Sequence, residues 1–214
     1  MKDLNNFEQQ RSKMVENQIR RRGITDKNVL NAMATVPRHL FVDKKNQRFA
    51  YIDGPLLIGY DQTISQPYIV AFMTDELKLK PHHKVLEIGT GCGYQTAVLS
   101  LLAGTIISLE FVKSLADSAK RRLNKLGYAN IAVHNYNGLK GWKDDAPYDR
   151  IIGTAAPPSI PDNLIDQLAP NGIMILPVGG SIFDQSLFIV KKNNRGKVSI
   201  KRSLGVRFVP MVDN

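Results

Sequence analysis

Apolar residues recur at near-helical spacing at Leu4, Phe7, Met14, Val15 and Ile19, which predicts a helix over 4–22 that Gly23 can close. Thr25 or Asp26 caps a second helix running to Thr35, and Pro37 ends it. Residues 49–58 mix apolar and polar positions around a Gly54-Pro55 turn, without a clear period. A helix over 67–77 follows, with Pro67 in its first turn. Val85, Leu86 and Ile88 form the short apolar run of a buried parallel strand, and helical spacing resumes over 94–103. Further strands are predicted at 105–109, 130–134 and 148–152, with helices at 113–126 and 161–168. Strands at 172–179, 186–192 and 198–208 close the chain, and His82-His83 after Pro81 reads as exposed loop. This alternation predicts an α/β fold, a doubly wound and mostly parallel Rossmann-like sheet with N-terminal helices and an antiparallel C-terminal edge.

Composition narrows the class. A chain of 214 residues fits one domain over 1–214. Its 43% hydrophobic and 22% charged residues are ordinary for a globular protein. No apolar stretch reaches membrane-spanning length and the first residues lack a signal-peptide core, so a cytoplasmic protein with no membrane partner is expected. The sole cysteine, Cys92, excludes an internal disulfide and suits a reducing compartment. In its glycine turn it reads as a small residue more than as a reactive thiol. The formal charge of +10 points to anionic partners, nucleic acid or acidic peptide. The basic residues are scattered, as at Arg20-Arg21-Arg22, and no aromatic residues interleave with them. Solvated surface is therefore the preferred reading, and nucleic acid is not expected as a partner.

The candidate chemistry gathers around residues 84–95, K-V-L-E-I-G-T-G-C-G-Y-Q. Gly89, Gly91 and Gly93 end the strand in a tight turn that lets a ligand approach the backbone, before a helix N-terminus with unpaired N–H groups. The next strand ends at Glu110, 17 positions after Gly93, where a carboxylate can accept both hydroxyls of a ribose. NAD and S-adenosyl-L-methionine (SAM) both suit that layout. Glu87 favours SAM, because a carboxylate there repels a pyrophosphate and suits an ammonium.

Asn137-Gly138, after the third strand, can accept from an adenine amino group and leave room for the ring; the same pair is also an ordinary turn signal. Ser65, before Pro67, reads first as a helix N-cap. The fourth strand exits into Thr154-Ala155-Ala156, with no side chain to take protons from a nitrogen nucleophile. Thr63, Ser65 and Thr154 are donors, which suits a carboxylate that is already ionised. His39, His82, His83 and His134 show no metal-ligand spacing, so no metal is expected. Neither a Gly-x-Ser-x-Gly elbow nor a phosphate-binding Gly-Lys-Ser/Thr loop is present.

Taken together, M-V-E-N-Q-I-R-R-R-G-I (14–24), V-P-R-H-L-F-V (36–42), Q-T-I-S-Q-P-Y (62–68) and V-L-E-I-G-T-G-C-G-Y-Q-T-A (85–97) resemble the protein-L-isoaspartate O-methyltransferases. P-Y-D-R-I-I (147–152), T-A-A-P-P-S-I-P (154–161), L-P-V-G (176–179) and V-R-F-V-P-M (206–211) extend the resemblance over nearly the whole chain. It implies SAM-dependent methylation of the free α-carboxylate of L-isoaspartyl residues in damaged proteins and peptides, initiating repair through a succinimide.

Carried over by position, the resemblance implies that Gln62, Thr63, Ile64 and Ser65 lie between cofactor and substrate. Ser65 is the implied catalytic position, orienting the carboxylate. Glu87, Gly89 and Gly91 would hold the methionine portion of the cofactor, Glu110 the ribose, and Asn137 with Gly138 the adenine. Residues 206–210 would help line the peptide site. Residues 1–80 would form a helical and substrate-lid region, 81–214 the SAM-binding sheet, and the protein would act as a monomer. Tyr136, Asn137, Leu139, Tyr60 and Asp61 depart from the family pattern. They leave open a carboxyl methyltransferase retargeted to another substrate, or a SAM- or peptide-binding module without turnover.

Overall fold

In a computed structural model, which describes residues 2–181 and 183–211, the chain opens with helix α1 (Lys2–Met14). The side chains of residues 2–5 lie outside the described set, and with them the expected contact of Leu4. The single helix expected over 4–22 is three geometries: α1, one π turn (Val15–Ile19) and one 3-10 turn (Arg20–Arg22) that Gly23 ends at φ 98°. Met14, Val15 and Ile19 are all buried across that change of pitch. Asp26, one of the two expected caps, starts helix α2 (Lys27–Thr35) by accepting from the N–H groups of Asn28 and Val29 at 2.8 and 3.1 Å.

Residues 49–58, which show no period, conceal half of a hairpin. Strands β1 (Leu56–Gly59) and β2 (Gln62–Ile64) pair antiparallel through a two-residue turn. Tyr60 and Asp61 occupy that turn at φ 54° and 55°. Helix α3 (Pro67–Glu76) follows with Gln66, not Ser65, at its N-cap, and Gln66 makes no side-chain capping bond. The reading of Ser65 as a cap is thereby corrected, and its side chain is left for other work.

The remaining elements are β3 (Lys84–Ile88), α4 (Tyr94–Ser100), β4 (Thr105–Glu110), α5 (Lys113–Lys125), β5 (Ile131–Asn135) and β6 (Tyr148–Gly153). The chain finishes with α6 (Asp162–Asp166), β7 (Leu168–Val178), β8 (Gln185–Lys192) and β9 (Val198–Val206). The helix expected over 161–168 is only α6, because β7 starts four residues earlier than its apolar run suggests and pairs Leu168 with Tyr148. Among the described residues the sheet order is β5-β4-β3-β6-β7-β8-β9. The pairs from β5 to β7 are parallel, and β8 runs antiparallel to both its neighbours. The expected parallel sheet with an antiparallel C-terminal edge is what folds.

Strand alternation decides which side each residue faces. Val85, Ile106, Ile152 and Ile175 pack with Met73 and Leu99 of α3 and α4. Leu86, Ile107, Ile151 and Met174 pack with Leu164 of α6 on the opposite face. Each fully buried side chain of this kind is worth roughly 1.5–3 kcal/mol, so slipping any strand by one residue is prohibitively costly. His83, expected in exposed loop, is instead buried, and its Nδ1 accepts from the Lys80 N–H at 3.1 Å.

The β1–β2 turn holds two non-glycine residues in the left-handed region, where an L side chain costs about 1–2 kcal/mol. Tyr60 is well exposed and has little packing to lose. Tyr60→Gly is therefore expected to raise the melting temperature by about 2–4 °C, read by differential scanning calorimetry.

Candidate active site

The strand order reverses direction beside β3: the chain goes on to β4 and β5 on one side, then returns to β6 on the other. Ligands of open parallel sheets sit outside the carboxyl ends of the strands at such a switch point. A cavity lies there. It is walled by Ile88 and Gly89 after β3, Leu109 and Glu110 at the end of β4, and Thr154 and Ala155 after β6. The hairpin contributes Gln62, Thr63, Ile64 and Ser65, and residues 209–211 close the remaining side.

Glu110 organises the glycine turn. One carboxylate oxygen accepts from the Gly91 N–H at 2.7 Å and the other from the Val112 N–H at 2.9 Å. Burial raises its pKa and these N–H groups oppose that shift. The Gly89 N–H donates to the Leu109 carbonyl at 2.7 Å, so the turn is sewn to β4 along its length. Gly89 sits at φ 95°, and a Cβ there would collide with the Thr154 side chain. A Cβ at Gly138, which also lines the cavity, would run into Ile88. Both positions keep the wall thin enough for a flat ring or an extended chain to lie against backbone.

Eight of the ten residues expected around the cofactor therefore share one cavity: Gln62, Thr63, Ile64, Ser65, Gly89, Gly91, Glu110 and Gly138. Glu87 and Asn137 do not line it. Glu87 shares a sheet face with Ser108, its neighbour in register, and this directs its carboxylate under the glycine turn toward α4. One oxygen there accepts from Thr96 Oγ1 and Ser108 Oγ, each at 2.5 Å, and the other has no protein partner. Thr90 Oγ1 sits 2.6 Å from Ser108 Oγ, so hydroxyls link the cavity wall to the buried acid. Complete burial pushes Glu87 up to about 8, which corrects the expectation of a wall carboxylate facing an ammonium. Asn137 accepts from the Leu139 N–H at 2.9 Å and caps the 3-10 turn Gly138–Lys140, the ordinary turn role of Asn-Gly.

A second cavity adjoins the first. Thr63 and Ser65 line both, and Gln66, Ile69, Phe183, Gln185 and residues 205–208 complete it. The resemblance implies that residues 206–210 line a peptide site. Here 206–208 face the second cavity and 209–211 the first. Gln185 sets that segment: its Nε2 donates to the Phe208 carbonyl at 3.1 Å and its Oε1 accepts the Phe208 N–H at 2.6 Å. The Ala156 N–H donates to the Val209 carbonyl and the Met211 N–H to the Ala156 carbonyl, tying the segment to the exit of β6. Thr90, Phe111 and residues 209–211 are wall residues that pattern reading missed. Thr90 lies within the glycine stretch and 209–210 within the segment expected at the peptide site, but pattern assigns none of them to the first cavity, and Phe111 carries no local signal at all.

Two expected hazards are absent from these walls, and a third residue is chemically quiet. Asp61 lines neither cavity, because the turn carries it away. Tyr136 stacks edge-on against Trp142 at 5.2 Å, outside the first cavity. Cys92 does line the first cavity, but burial raises its pKa and leaves it a protonated thiol. Among the described residues no group of three or more His, Cys, Asp or Glu could hold a metal ion, and no helix is long and apolar enough to cross a membrane.

Comparison with known proteins agrees in sequence and in shape. The family model for protein-L-isoaspartate(D-aspartate) O-methyltransferase matches residues 9–214. The chain is 52% identical over 212 residues to the protein-L-isoaspartate O-methyltransferase of Synechococcus sp. (strain JA-2-3B'a(2-13)), covering 96% of this chain and 86% of that one. It is 47% identical over 210 residues to that of Syntrophus aciditrophicus (strain SB), covering 98% and 96%. A solved protein-L-isoaspartate O-methyltransferase superposes with a TM-score of 0.86 at 27% identity, over 95% of this chain and 66% of that chain. A Plasmodium falciparum counterpart solved with S-adenosyl-L-homocysteine gives 0.80 at 27% identity, over 95% and 99%.

Two substitutions test the site. Glu110→Ala removes both acceptors from the turn, at about 1.5–3 kcal/mol for each hydrogen bond to a charged group. It is expected to weaken S-adenosyl-L-homocysteine binding at least about tenfold by calorimetry. Glu87 has a folded pKa above its unfolded value. Its contribution is therefore fully present below about pH 4.5 and is lost as pH rises through about 8. Glu87→Gln is expected to flatten the fall of melting temperature across that window and to melt above the wild type at pH 8; a parallel pair of curves would refute the assignment.

Proposed function

This chain belongs to the protein-L-isoaspartate(D-aspartate) O-methyltransferase family, and from that premise we propose how its residues divide the work. The protein is a SAM-dependent methyltransferase that methylates L-isoaspartyl residues in proteins. Bound to it, SAM supplies a methyl group on a sulfonium, which the substrate carboxylate takes by in-line displacement.

We assign the first cavity to the cofactor and the second to the isoaspartyl peptide. The observation that supports this most directly is that Thr63 and Ser65 line both. A methyl group must pass from one ligand to the other, and these two hydroxyls stand at the only kind of place where both can be touched. Glu110 receives the ribose hydroxyls while keeping the glycine turn in shape. Gly89 and Gly91 admit the methionine portion, and Gly138 the adenine beside Ile88. Asn137 acts through the turn it caps, and Glu87 through Ser108 and Thr90.

Ser65 is the catalytic residue. Its hydroxyl donates to the acceptor carboxylate and holds one oxygen toward the methyl group. The carboxylate is ionised at neutral pH, so no base is needed and the rate gain comes from positioning. The absence of an acceptor side chain on Thr154-Ala155-Ala156 accords with that chemistry. The second cavity is rimmed by Phe183, whose exposed ring lies 5.6 Å from the Arg207 guanidinium. An extended peptide passing over this rim can place its isoaspartyl branch toward Ser65.

We further assign one domain over 1–214, with 1–80 as the substrate-side region and lid and 81–214 as the cofactor-binding sheet. The protein works as a cytoplasmic monomer on protein and peptide substrates and uses no nucleic-acid partner.

Transfer of labelled methyl from SAM to matched L-isoaspartyl and L-aspartyl peptides tests the reading. Base-labile label on the isoaspartyl peptide alone is expected; label on neither, with cofactor binding intact, would refute it. Ser65→Ala is expected to keep S-adenosyl-L-homocysteine affinity within about twofold while lowering kcat/KM by about 10–100-fold, the loss of one aligned hydrogen bond to a charged group.

A further inference from the structure

Arg38 is the largest fully buried side chain in the described structure, and it has no carboxylate partner there. It begins the 3-10 turn Arg38–Phe41, far from β3 in sequence. Its Nε donates to the Ala50 carbonyl at 2.7 Å, and its Nη2 donates to the Ser65 carbonyl at 2.8 Å. The guanidinium carbon lies 4.8 Å from the centre of the Tyr94 ring. The remaining nitrogen, Nη1, is buried and forms no hydrogen bond of normal geometry among the described residues, with the Tyr94 hydroxyl as its nearby polar group.

A lone buried cation is expensive, and proteins normally pair it or replace it. Its neighbours do not neutralise it: burial raises the pKa of Tyr94, Cys92 and Tyr51, so all three stay protonated. Burial also lowers the pKa of Arg38 itself, but a guanidinium starts too high to lose its proton near neutrality. What remains is a positive charge fastened directly behind Ser65, where both cavities meet. Water cannot screen it, so its field reaches whatever enters beside Ser65.

We propose that Arg38 is a positioning residue for the methyl acceptor: it fixes Ser65 through the peptide carbonyl and gives the junction a positive potential that selects an anionic carboxylate over its neutral amide. The inference rests on the assignment of Ser65 to the substrate junction. A tether alone would need only the two hydrogen bonds to Ala50 and Ser65. The unscreened charge is what a binding site for an anion adds.

The test compares two peptides of one sequence, one with an L-isoaspartyl residue and one with its neutral L-isoasparaginyl counterpart. Binding is measured by calorimetry on enzyme saturated with S-adenosyl-L-homocysteine, and KM and kcat are measured with SAM. Wild-type enzyme is expected to bind the carboxylate peptide at least about tenfold tighter than the amide. In Arg38→Gln, that ratio is expected to fall toward one and KM to rise about tenfold, with S-adenosyl-L-homocysteine affinity held within about threefold. Arg38→Lys loses the fork, and burial lowers the pKa of an ammonium, so it is expected to recover part of the ratio at pH 6 and less of it at pH 8, with kcat reduced at both. An unchanged ratio in Arg38→Gln overturns the proposal. If that variant does not fold, a wild-type ratio near one overturns it equally. Failure of wild-type enzyme to methylate the isoaspartyl peptide would sink the functional assignment instead, because the binding ratio is read without turnover.

Discussion

The carboxylate of Glu110, accepting one N–H from the glycine turn and another from the start of the next loop, is the interaction on which the site depends. A turn with three glycines has many conformations available, and ordering it is costly in entropy. The charge-assisted bond from Gly91 pins the turn to a strand end, and the bond from Val112 holds the carboxylate in place to accept it. The Leu109 carbonyl adds a further fixed point. The parallel sheet matters because it holds the ends of β3 and β4 side by side, where one side chain can span both.

Two ionisable groups are buried behind the walls where an apolar residue would cost less. Glu87 has two hydroxyl donors on one oxygen and none on the other; Arg38 has two carbonyl acceptors and one nitrogen without a hydrogen bond of normal geometry. Partly satisfied buried groups of this kind are poor sources of stability. Arg38 stands one hydrogen bond from the cavity lining, through the Ser65 carbonyl, and Glu87 two, through Ser108 to Thr90. Their placement is costly for folding: Glu87 is neutralised by burial, while Arg38 keeps its charge.

The substrate side is built differently from the cofactor side. It consists of a short hairpin, the start of α3 and a non-strand segment after β9, held by side-chain and bridge hydrogen bonds from Gln185 and Ala156. The pieces of this wall come from parts of the chain more than a hundred residues apart. Such a wall can vary in shape without disturbing the sheet, which suits recognition of a damaged residue in many sequence settings.

The sequence by itself determined the architecture and much of the lining of the first cavity. The apolar run through Val85, Leu86 and Ile88, the glycines that follow and Glu110 at the next strand end are local signals. Burial on both faces of a parallel strand leaves them little freedom to mean anything else. The tertiary structure decided the rest. Ser65 looked like a helix cap because Pro67 follows it, and only the packing of the hairpin against β3 and the segment after β9 made it the junction of two cavities. Glu87 looked like a wall residue, but the pleat turned it inward toward Ser108 and Thr96. The β1–β2 hairpin was invisible because Tyr60 and Asp61 are not residues that ordinarily supply a left-handed turn. Arg38 was one basic residue among 29. Its isolation from carboxylates among the described residues is a property of three-dimensional neighbours, which no spacing along the chain records.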